Sequence, residues 1–169
     1  WRQHAVCARI AIAMDCRRLV PNPVDAAPIR SPQAIHSLIA QRALGKSVVE
    51  IGTRNGDGME CFAQAAASAT AFEIDAKYCK KLKHRSSLLA ARTGGTSNFT
   101  VACMDYRKAN TIHLGRADYF TWWAQEPMLK NREVLGRLRS MVEQGHVSRN
   151  AHALFVFDLK WWVDVCDLN

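Results

Sequence analysis

The sequence lacks the features that most readily place a chain in a class. No run of about 18 apolar residues occurs, so we predict no transmembrane helix. The six cysteines form no C-x-x-C pair and no cysteine–histidine cluster with zinc spacing, so we predict no metal site. By default these cysteines are free thiols in a reducing, intracellular compartment, either cytoplasmic or organellar. Without repeats or low-complexity tracts, the 169 residues suffice for one domain with a hydrophobic core.

Acidic residues are also scarce, and this shortage sets the charge of the chain. There are 15 acidic residues against 23 basic ones, which gives a formal net charge of +8. Such a charge favours an acidic partner: nucleic acid, an anionic membrane face or another protein of a larger assembly. No nucleic-acid-binding motif selects among these, and a solvated basic surface explains the charge equally well. The five tryptophans would suit burial against protein partners.

The first 30 residues differ from the rest of the chain. Residues 1–20 are basic, with Asp15 as their one acid, and predict either a helix or the remnant of an organellar targeting segment. Because the sequence begins at Trp1, we expect a processed or truncated chain. Three prolines then form a predicted linker. We therefore predict a basic helical arm with a linker over residues 1–30 and an α/β domain over residues 31–169.

The stretch over residues 47–75 organises the predicted domain. A short apolar run over residues 48–51 predicts a strand, and a turn with three glycines follows it over residues 52–58. Glycine lets the chain turn sharply and lets a ligand approach the backbone. An alanine-rich helix comes next, with Asp57 as its predicted N-cap and Glu60 completing a capping box.

A second apolar run, over residues 71–75, predicts a strand parallel to the first, because a strand–helix–strand crossover joins parallel strands. Asp75 ends this run, where a carboxylate could accept hydrogen bonds from both ribose hydroxyls of an adenosine. Glu73 is the neighbouring candidate for this role. Strand, glycine turn, helix, strand and acid together predict half of a nucleotide-binding α/β sheet.

The glycine turn differs from the two common phosphate-binding loops. A Walker loop needs Lys-Ser/Thr after its last glycine, and a dinucleotide loop needs G-x-G-x-x-G, whereas the glycines here are spaced G-x-x-x-G-x-G. Two acids, Glu50 and Asp57, flank the turn and would repel a pyrophosphate. They would suit a ligand with an ammonium or sulfonium group. The alternative is a strand–helix–strand unit whose glycines only make a tight turn.

The stretch resembles motif I of class I S-adenosylmethionine-dependent methyltransferases, which has an acid, any residue, a glycine and two further spaced glycines. Glu50, Gly52 and Gly56 match this motif, and Arg54 stands where the family usually has its middle glycine. The resemblance implies S-adenosylmethionine as the cofactor. The cofactor-binding residues that it implies are Glu50, Gly52, Thr53, Arg54, Gly56, Asp75 and Asp105.

The resemblance also implies a role for most of these residues. Glu50 would bind the methionine ammonium group, and Gly52 and Gly56 would shape the methionine pocket. Asp75 would hold the ribose. Asp105 follows the third predicted strand, where family members often have an acid that binds the adenine amino group.

Further apolar runs predict the remaining elements. Strands are predicted over residues 98–103, 118–123 and 153–158, and helices between Ser31 and Gly45, over residues 77–92 and over residues 128–144. The resemblance implies a Rossmann-like parallel sheet of order 3-2-1-4-5 with helices on both faces. Few residues follow the fifth strand, so we expect the antiparallel strand pair that ends this fold to be missing or reduced. The helix over residues 77–92 carries the densest basic segment: Lys77, Lys80, Lys81, Lys83, Arg85 and Arg92.

No catalytic motif accompanies the predicted cofactor site. At the carboxyl end of the fourth strand, where some family members have Asn-Pro-Pro-Tyr, this chain has Trp122 and Trp123, which could stack on a planar substrate or lie in the core. Weak candidates for a general base are His113, Asp118, Glu126 and Asp158. We predict a methyltransferase of unknown substrate. The alternatives are a catalytically inactive methyltransferase-like domain that serves as a structural or assembly subunit, and a protein that binds another adenosine ligand.

Overall fold

The computed structural model describes residues 14–20, 22–24, 33–95, 97–110, 117–123 and 129–156, and the structural statements below concern these residues. Helices and strands alternate along them. In chain order the elements are α1 (Cys16–Leu19), α2 (Gln33–Arg42), β1 (Ser47–Ile51), α3 (Asp57–Ala65), β2 (Ser68–Phe72), α4 (Ala76–Arg92), β3 (Phe99–Ala102), a 3-10 turn (Tyr106–Lys108), β4 (Tyr119–Trp123), α5 (Leu129–Glu143) and β5 (His152–Val156).

The five strands form one parallel sheet of order β3-β2-β1-β4-β5, which confirms the predicted topology. β1 lies at the centre, with Val49 opposite Thr70 of β2 and Phe120 of β4. The order reverses direction at β1, since β2 and β3 extend to one side of it and β4 and β5 to the other. The expected loss of the terminal strand pair concerns residues 157–169, which lie outside the described residues.

Helices cover both faces of the sheet. Because side chains alternate along a strand, Val48 and Val49 of β1 enter different cores. Val48 packs in a cluster that includes Phe62 of α3, and Leu82 of α4 belongs to the same cluster. Val49 packs in a second cluster that includes Leu138 of α5. This double coverage explains why β1 is an almost continuous apolar run, as buried parallel strands are.

The predicted capping box at the start of α3 is wrong. The N-cap is Gly56, in a left-handed conformation with φ of 83°, and no described side chain caps the helix. Asp57 is the first residue of α3, and its buried carboxylate pairs with Arg85 of α4 at 2.6 Å. Glu60 pairs with Arg85 at 2.7 Å and also with Arg92. Buried carboxylates need nearby cations, so these acids bind α4 to α3 instead of closing the helix end.

The prediction of free thiols is wrong for four of the six cysteines. A disulfide joins Cys16 of α1 to Cys61 of α3, with their Cα atoms 5.4 Å apart. A second joins Cys79 of α4 to Cys103, just after β3, with their Cα atoms 5.7 Å apart. The partners are 45 and 24 residues apart in sequence, so the spacing of the cysteines does not predict which of them pair. The argument from free thiols to a reducing compartment therefore fails for these four residues, and the other two cysteines lie outside the described residues.

The described part of the predicted N-terminal arm packs on the domain. Cys16 and Val20 are buried in the same core as α2 and α3, and the backbone N–H of Cys16 donates to Ser37 Oγ at 3.0 Å. Residues 1–13 lie outside the described residues, and the boundary at residue 30 stays a prediction. Among the helices that the structure describes, none has the length and apolar character needed to cross a membrane.

Candidate functional site

A pocket of about 340 Å³ opens at the carboxyl edge of the sheet, beside the ends of β1, β2 and β3. This volume lies in the range of small-molecule sites, and the carboxyl edge is where open parallel sheets bind their ligands. The walls come from the ends of these strands, from the segment after β3 and from α5. The lining residues are Ile51, Gly52, Phe72, Glu73, Ile74, Met104, Asp105, Tyr106, Arg107, Glu133 and Val134.

Gly52 forms the part of the wall directly after β1. Its φ is 73°, a left-handed conformation that glycine adopts without strain. Its backbone N–H donates to the carbonyl of Phe72 at 2.8 Å, which holds the turn against the end of β2. A β-carbon at this position would meet no atom within 4 Å, so the glycine leaves open space beside the pocket. The structure thus places this predicted cofactor residue at the pocket.

Glu73 follows β2 directly and lines the same pocket. It is buried, and its two carboxylate oxygens accept hydrogen bonds from different segments. Oε2 accepts from the backbone N–H of Arg54 at 2.8 Å, and Oε1 accepts from the backbone N–H of Asp75 at 2.9 Å. An ionised carboxylate has about four acceptor positions, so these bonds leave capacity for a ligand. Glu73 therefore connects the turn after β1 with the start of α4.

Asp75 lies elsewhere than predicted. β2 ends at Phe72, so the predicted strand over residues 71–75 is wrong at its carboxyl end. Asp75 is the N-cap of α4, and its carboxylate accepts from the backbone N–H groups of Lys77 at 2.7 Å and Tyr78 at 3.1 Å. Aspartate is among the best N-cap residues, which explains this placement. Asp75 is not among the residues that line the pocket.

Arg54, which stands where motif I usually has a glycine, adopts a left-handed backbone conformation of the kind that favours glycine. Its φ is 56°, and it is the one described non-glycine residue with a positive φ. Its guanidinium lies 5.3 Å from the centroid of the Tyr78 ring, and Nη2 donates to the Tyr78 hydroxyl at 3.2 Å. The side chain therefore lies on α4, and Arg54 does not line the pocket.

The other predicted cofactor residues of this turn are Glu50, Thr53 and Gly56, and they lie on the side of the turn away from the pocket. Glu50 is buried within β1, and the Thr53 hydroxyl donates to its backbone carbonyl at 3.3 Å. Gly56 faces α4, because a β-carbon there would lie 2.5 Å from Cδ2 of Leu82. None of these three residues lines the pocket. Gly56 thus permits close helix packing in this structure, whatever further role it has.

Asp105 lines the pocket, and its carboxylate already accepts several hydrogen bonds. Nε of Arg107 donates to its two oxygens at 3.0 and 2.8 Å, and Nη2 donates at 2.6 Å. These bonds hold the pKa of Asp105 below its ordinary value. Nη1 of the same arginine donates to Glu133 of α5 at 3.1 Å. Arg107 therefore links the segment after β3 to α5 along one side of the pocket.

The described candidates for catalysis lie away from the pocket. Asp118 precedes β4 at the amino edge of the sheet, where its Oδ2 accepts from the backbone N–H of Ser47 at 2.8 Å. Trp122 is buried, and its indole N–H donates to Asn131 of α5 at 3.1 Å, so it is a core residue. The candidates outside the described residues are His113, Glu126 and Asp158. The side chain of Trp123 is also outside the description.

Sequence reasoning missed most of the pocket wall. It singled out Gly52 and Asp105 and named Glu73 as a neighbour, but it gave no role to Ile74 or Arg107. Ile74 is 72% exposed, which is unusual for an isoleucine. Its position directly after an acid that follows a strand could have identified it from the sequence. The lining residues of α5 have no such signal, because only the fold brings that helix to the end of β1.

Neither a protein-family profile nor a curated protein sequence matches the chain. Solved structures do match it. An RNA methyltransferase from Salinibacter ruber in complex with S-adenosyl-L-homocysteine has a TM-score of 0.57 and 15% identity, with 80% of this chain and 83% of that one covered. The methyltransferase PaMTH1 from Podospora anserina, also bound to S-adenosyl-L-homocysteine, has a TM-score of 0.57 and 16% identity, covering 88% and 62% of the two chains.

A dimethyladenosine transferase from Plasmodium falciparum has a TM-score of 0.55 and 19% identity, covering 77% of this chain and 42% of that one. This chain thus spans less than two thirds of the length of the last two proteins. At such identities the likeness defines the fold alone. The chain has the fold of class I S-adenosylmethionine-dependent methyltransferases, as its motif I implies.

Proposed function

We propose that the chain binds S-adenosylmethionine in the pocket at the carboxyl edge and acts as a methyltransferase. The observation that supports this most directly is the arrangement at the end of β2. There a buried acid, Glu73, and an exposed isoleucine, Ile74, lie beside the open space that Gly52 leaves. An acid for the ribose hydroxyls next to an apolar surface for a planar base suits an adenosine.

Within this proposal, Glu73 takes the ribose role that the sequence assigns to Asp75. Glu73 lines the pocket, whereas the Asp75 carboxylate caps α4. Ile74 would pack on one face of the adenine. Asp105 would accept a hydrogen bond from the adenine amino group on the acceptor positions that Arg107 leaves. Glu50 would attract the methionine ammonium group from below the turn.

The bound cofactor would supply a methyl group on a sulfonium, and the chain would supply alignment. Methyl transfer needs the nucleophile, the carbon and the sulfur in line, so holding the reactants in place provides much of the rate. Some acceptors need a base as well. The described base candidate, Asp118, lies at the opposite edge of the sheet. This position favours a second candidate function, an inactive methyltransferase-like subunit of a larger assembly.

The proposal is tested by titrating the protein with S-adenosylhomocysteine in a calorimeter, first unchanged and then with Ile74→Asp. Ile74 is 72% exposed, so the change leaves the fold intact while it removes the apolar surface under the adenine. Burial of an isoleucine contributes about 1.5–3 kcal/mol, so we expect roughly 10- to 100-fold weaker binding. The matched control is Leu44→Asp, because Leu44 is 55% exposed and lies before β1 at the amino edge.

Three outcomes separate the candidate functions. Binding that weakens with Ile74→Asp and is unchanged with Leu44→Asp supports the pocket. No binding at millimolar ligand rules out the methyltransferase and leaves the assembly subunit. Equal effects of the two substitutions would place the ligand elsewhere on the chain.

A further inference from the structure

The exposed side of α4 carries a row of positive charge. Lys77 lies three residues before Lys80 and four before Lys81, and His84 lies four and three residues after these two lysines, so all four share one face of the helix. All four are exposed. We call this set the α4 lysine face. The opposite side of α4 packs in the core through Cys79, Leu82 and Leu89, which are buried.

This charge is placed where it destabilises the helix. Like charges three and four residues apart cost about 0.2–0.5 kcal/mol per pair, and Lys77 forms such pairs with Lys80 and with Lys81. Lys77, the second residue of α4, also lies at the positive end of the helix dipole, which disfavours cations. No acid occurs anywhere in Ala76–Arg92. These repulsions between lysines lower the stability of the helix. A bound anion would offset them, which would account for the clustering of lysines on this face.

The α4 lysine face begins at the pocket. Ile74, which lines the pocket, lies two residues before the first residue of α4. The Tyr78 ring holds two cations near it, the guanidinium of Arg54 at 5.3 Å and the ammonium of Lys81 at 5.4 Å. Lys81 also donates to Asn55 Oδ1 at 3.3 Å, in the turn after β1. The guanidinium of Arg54 in the turn that borders the pocket and the α4 lysine face therefore lie next to each other on one surface.

We propose that this surface binds the phosphate backbone of a nucleic acid. With a rise of about 1.5 Å per residue, the row from Lys77 to His84 is about 10 Å long. A nucleic-acid strand in a duplex has one phosphate per about 3.4 Å of helix axis, so the row spans about three phosphates. The assignment of that nucleic acid as the substrate of methylation rests on the proposed function. The binding surface itself does not.

Other anionic partners fit this surface less well. A helix that binds a membrane surface inserts an apolar face, but the apolar face of α4 is buried in the domain. The cores of protein interfaces are depleted in lysine, whereas lysine contacts to phosphate supply most of the affinity for a nucleic-acid backbone. The row of four side chains is also longer than a single small anion, so one such anion would contact only part of it.

The test measures the binding of a fluorescently labelled single-stranded RNA of about 16 nucleotides by fluorescence anisotropy, over about 50 to 200 mM salt. The variant combines Lys77→Gln, Lys80→Gln and Lys81→Gln. Each phosphate contact on a single strand contributes about 0.7 to the slope of log K against log salt. We therefore expect the slope to fall by about 2 and the affinity to fall roughly 10- to 100-fold.

A matched control removes the same three charges at the amino edge of the sheet. It combines Arg42→Gln, Lys46→Gln and Arg149→Gln, all at exposed positions. We expect it to bind RNA nearly as the unchanged protein does. S-adenosylhomocysteine binding, measured in parallel, should be the same in all three proteins, so a failure of this proposal is distinguishable from a failure of the cofactor proposal.

Several results would overturn the proposal. One is equal loss of RNA affinity in the two triple variants, which would make the effect one of net charge alone. Another is a protein that binds S-adenosylhomocysteine but not RNA. A third is binding to vesicles of anionic lipid, without RNA binding, that disappears in the α4 variant, since this would identify a membrane as the partner.

Discussion

Arg54 offers a sharp test of the geometry of the turn after β1. With φ of 56°, it occupies a conformation that costs a non-glycine residue about 1–2 kcal/mol. Arg54→Gly removes this cost. Against it stand the conformational entropy of glycine, about 0.5–1 kcal/mol, and the lost cation–π contact with the half-buried Tyr78, about 0.5–1 kcal/mol or more, together with the hydrogen bond to its hydroxyl. The hydrogen bond from its backbone N–H to Glu73 remains.

The opposing contributions nearly cancel, so we expect Arg54→Gly to change the free energy of unfolding by less than about 1 kcal/mol. Arg54→Val loses the same contact and keeps a β-branched side chain in the left-handed region, where such residues are strained. It should destabilise the protein by about 1–3 kcal/mol. The turn is thus expected to prefer glycine over valine, by about 2 kcal/mol at the middle of these ranges.

Urea denaturation, followed by circular dichroism, measures both free energies. The matched control is Asn55, the next residue of the same turn, which does not have a positive φ. There glycine should have no such advantage over valine. If Arg54→Val proves as stable as Arg54→Gly, or if the two positions behave alike, Arg54 does not adopt the left-handed conformation and the turn is built differently.

Two further predictions concern buried ionisable groups. Arg85→Ala leaves Asp57 and Glu60 buried without their shared cation. In urea denaturation it should lower the free energy of unfolding by about 3–5 kcal/mol. Arg92→Ala is the control and should lower it by distinctly less, because the Arg92 side chain is 48% exposed. Burial lowers the pKa of His36 to about 4 against 6.5 in the unfolded chain. Below pH 6.5 the unfolded chain therefore binds more protons than the folded one. The free energy of unfolding should fall by about 3 kcal/mol as the pH drops from 6.5 to 4. His36→Phe should remove this contribution to the pH dependence, which urea denaturation at several pH values measures.

The main outlines of the fold could be predicted because they depend on local signals. Buried parallel strands are short apolar runs, and the run ending at Ile51 with its glycine turn is visible without any structure. The strand order came from the resemblance of that turn to motif I. Local signals also located Gly52, since a glycine that must turn the chain and leave open space is recognisable from its place after a strand.

What could not be predicted depends on contacts between distant segments. The pairing of Asp57 and Glu60 with Arg85 requires α3 and α4 to lie side by side, and local spacing instead predicted a helix cap. Arg85 stands in the densest basic segment of the sequence, and that segment gives no sign that its side chain is only 14% exposed. The two disulfides likewise join residues that only the fold brings together. The end of β2 was misplaced because Ile74 extends the apolar run beyond Phe72, where the strand ends.

Glu73 and Asp75, the two acids on either side of Ile74, have different roles in the structure, although the sequence favoured Asp75 alone. Through its Oδ1, Asp75 satisfies the first backbone N–H groups of α4, a need that any helix start has, and it does not line the pocket. Glu73 holds the backbone N–H groups of Arg54 and Asp75 and still faces the pocket. The same carboxylate therefore positions the turn after β1 and the start of α4. Because α4 carries the lysine face, a ligand that binds Glu73 contacts a group that helps to fix the pocket and the basic surface relative to each other.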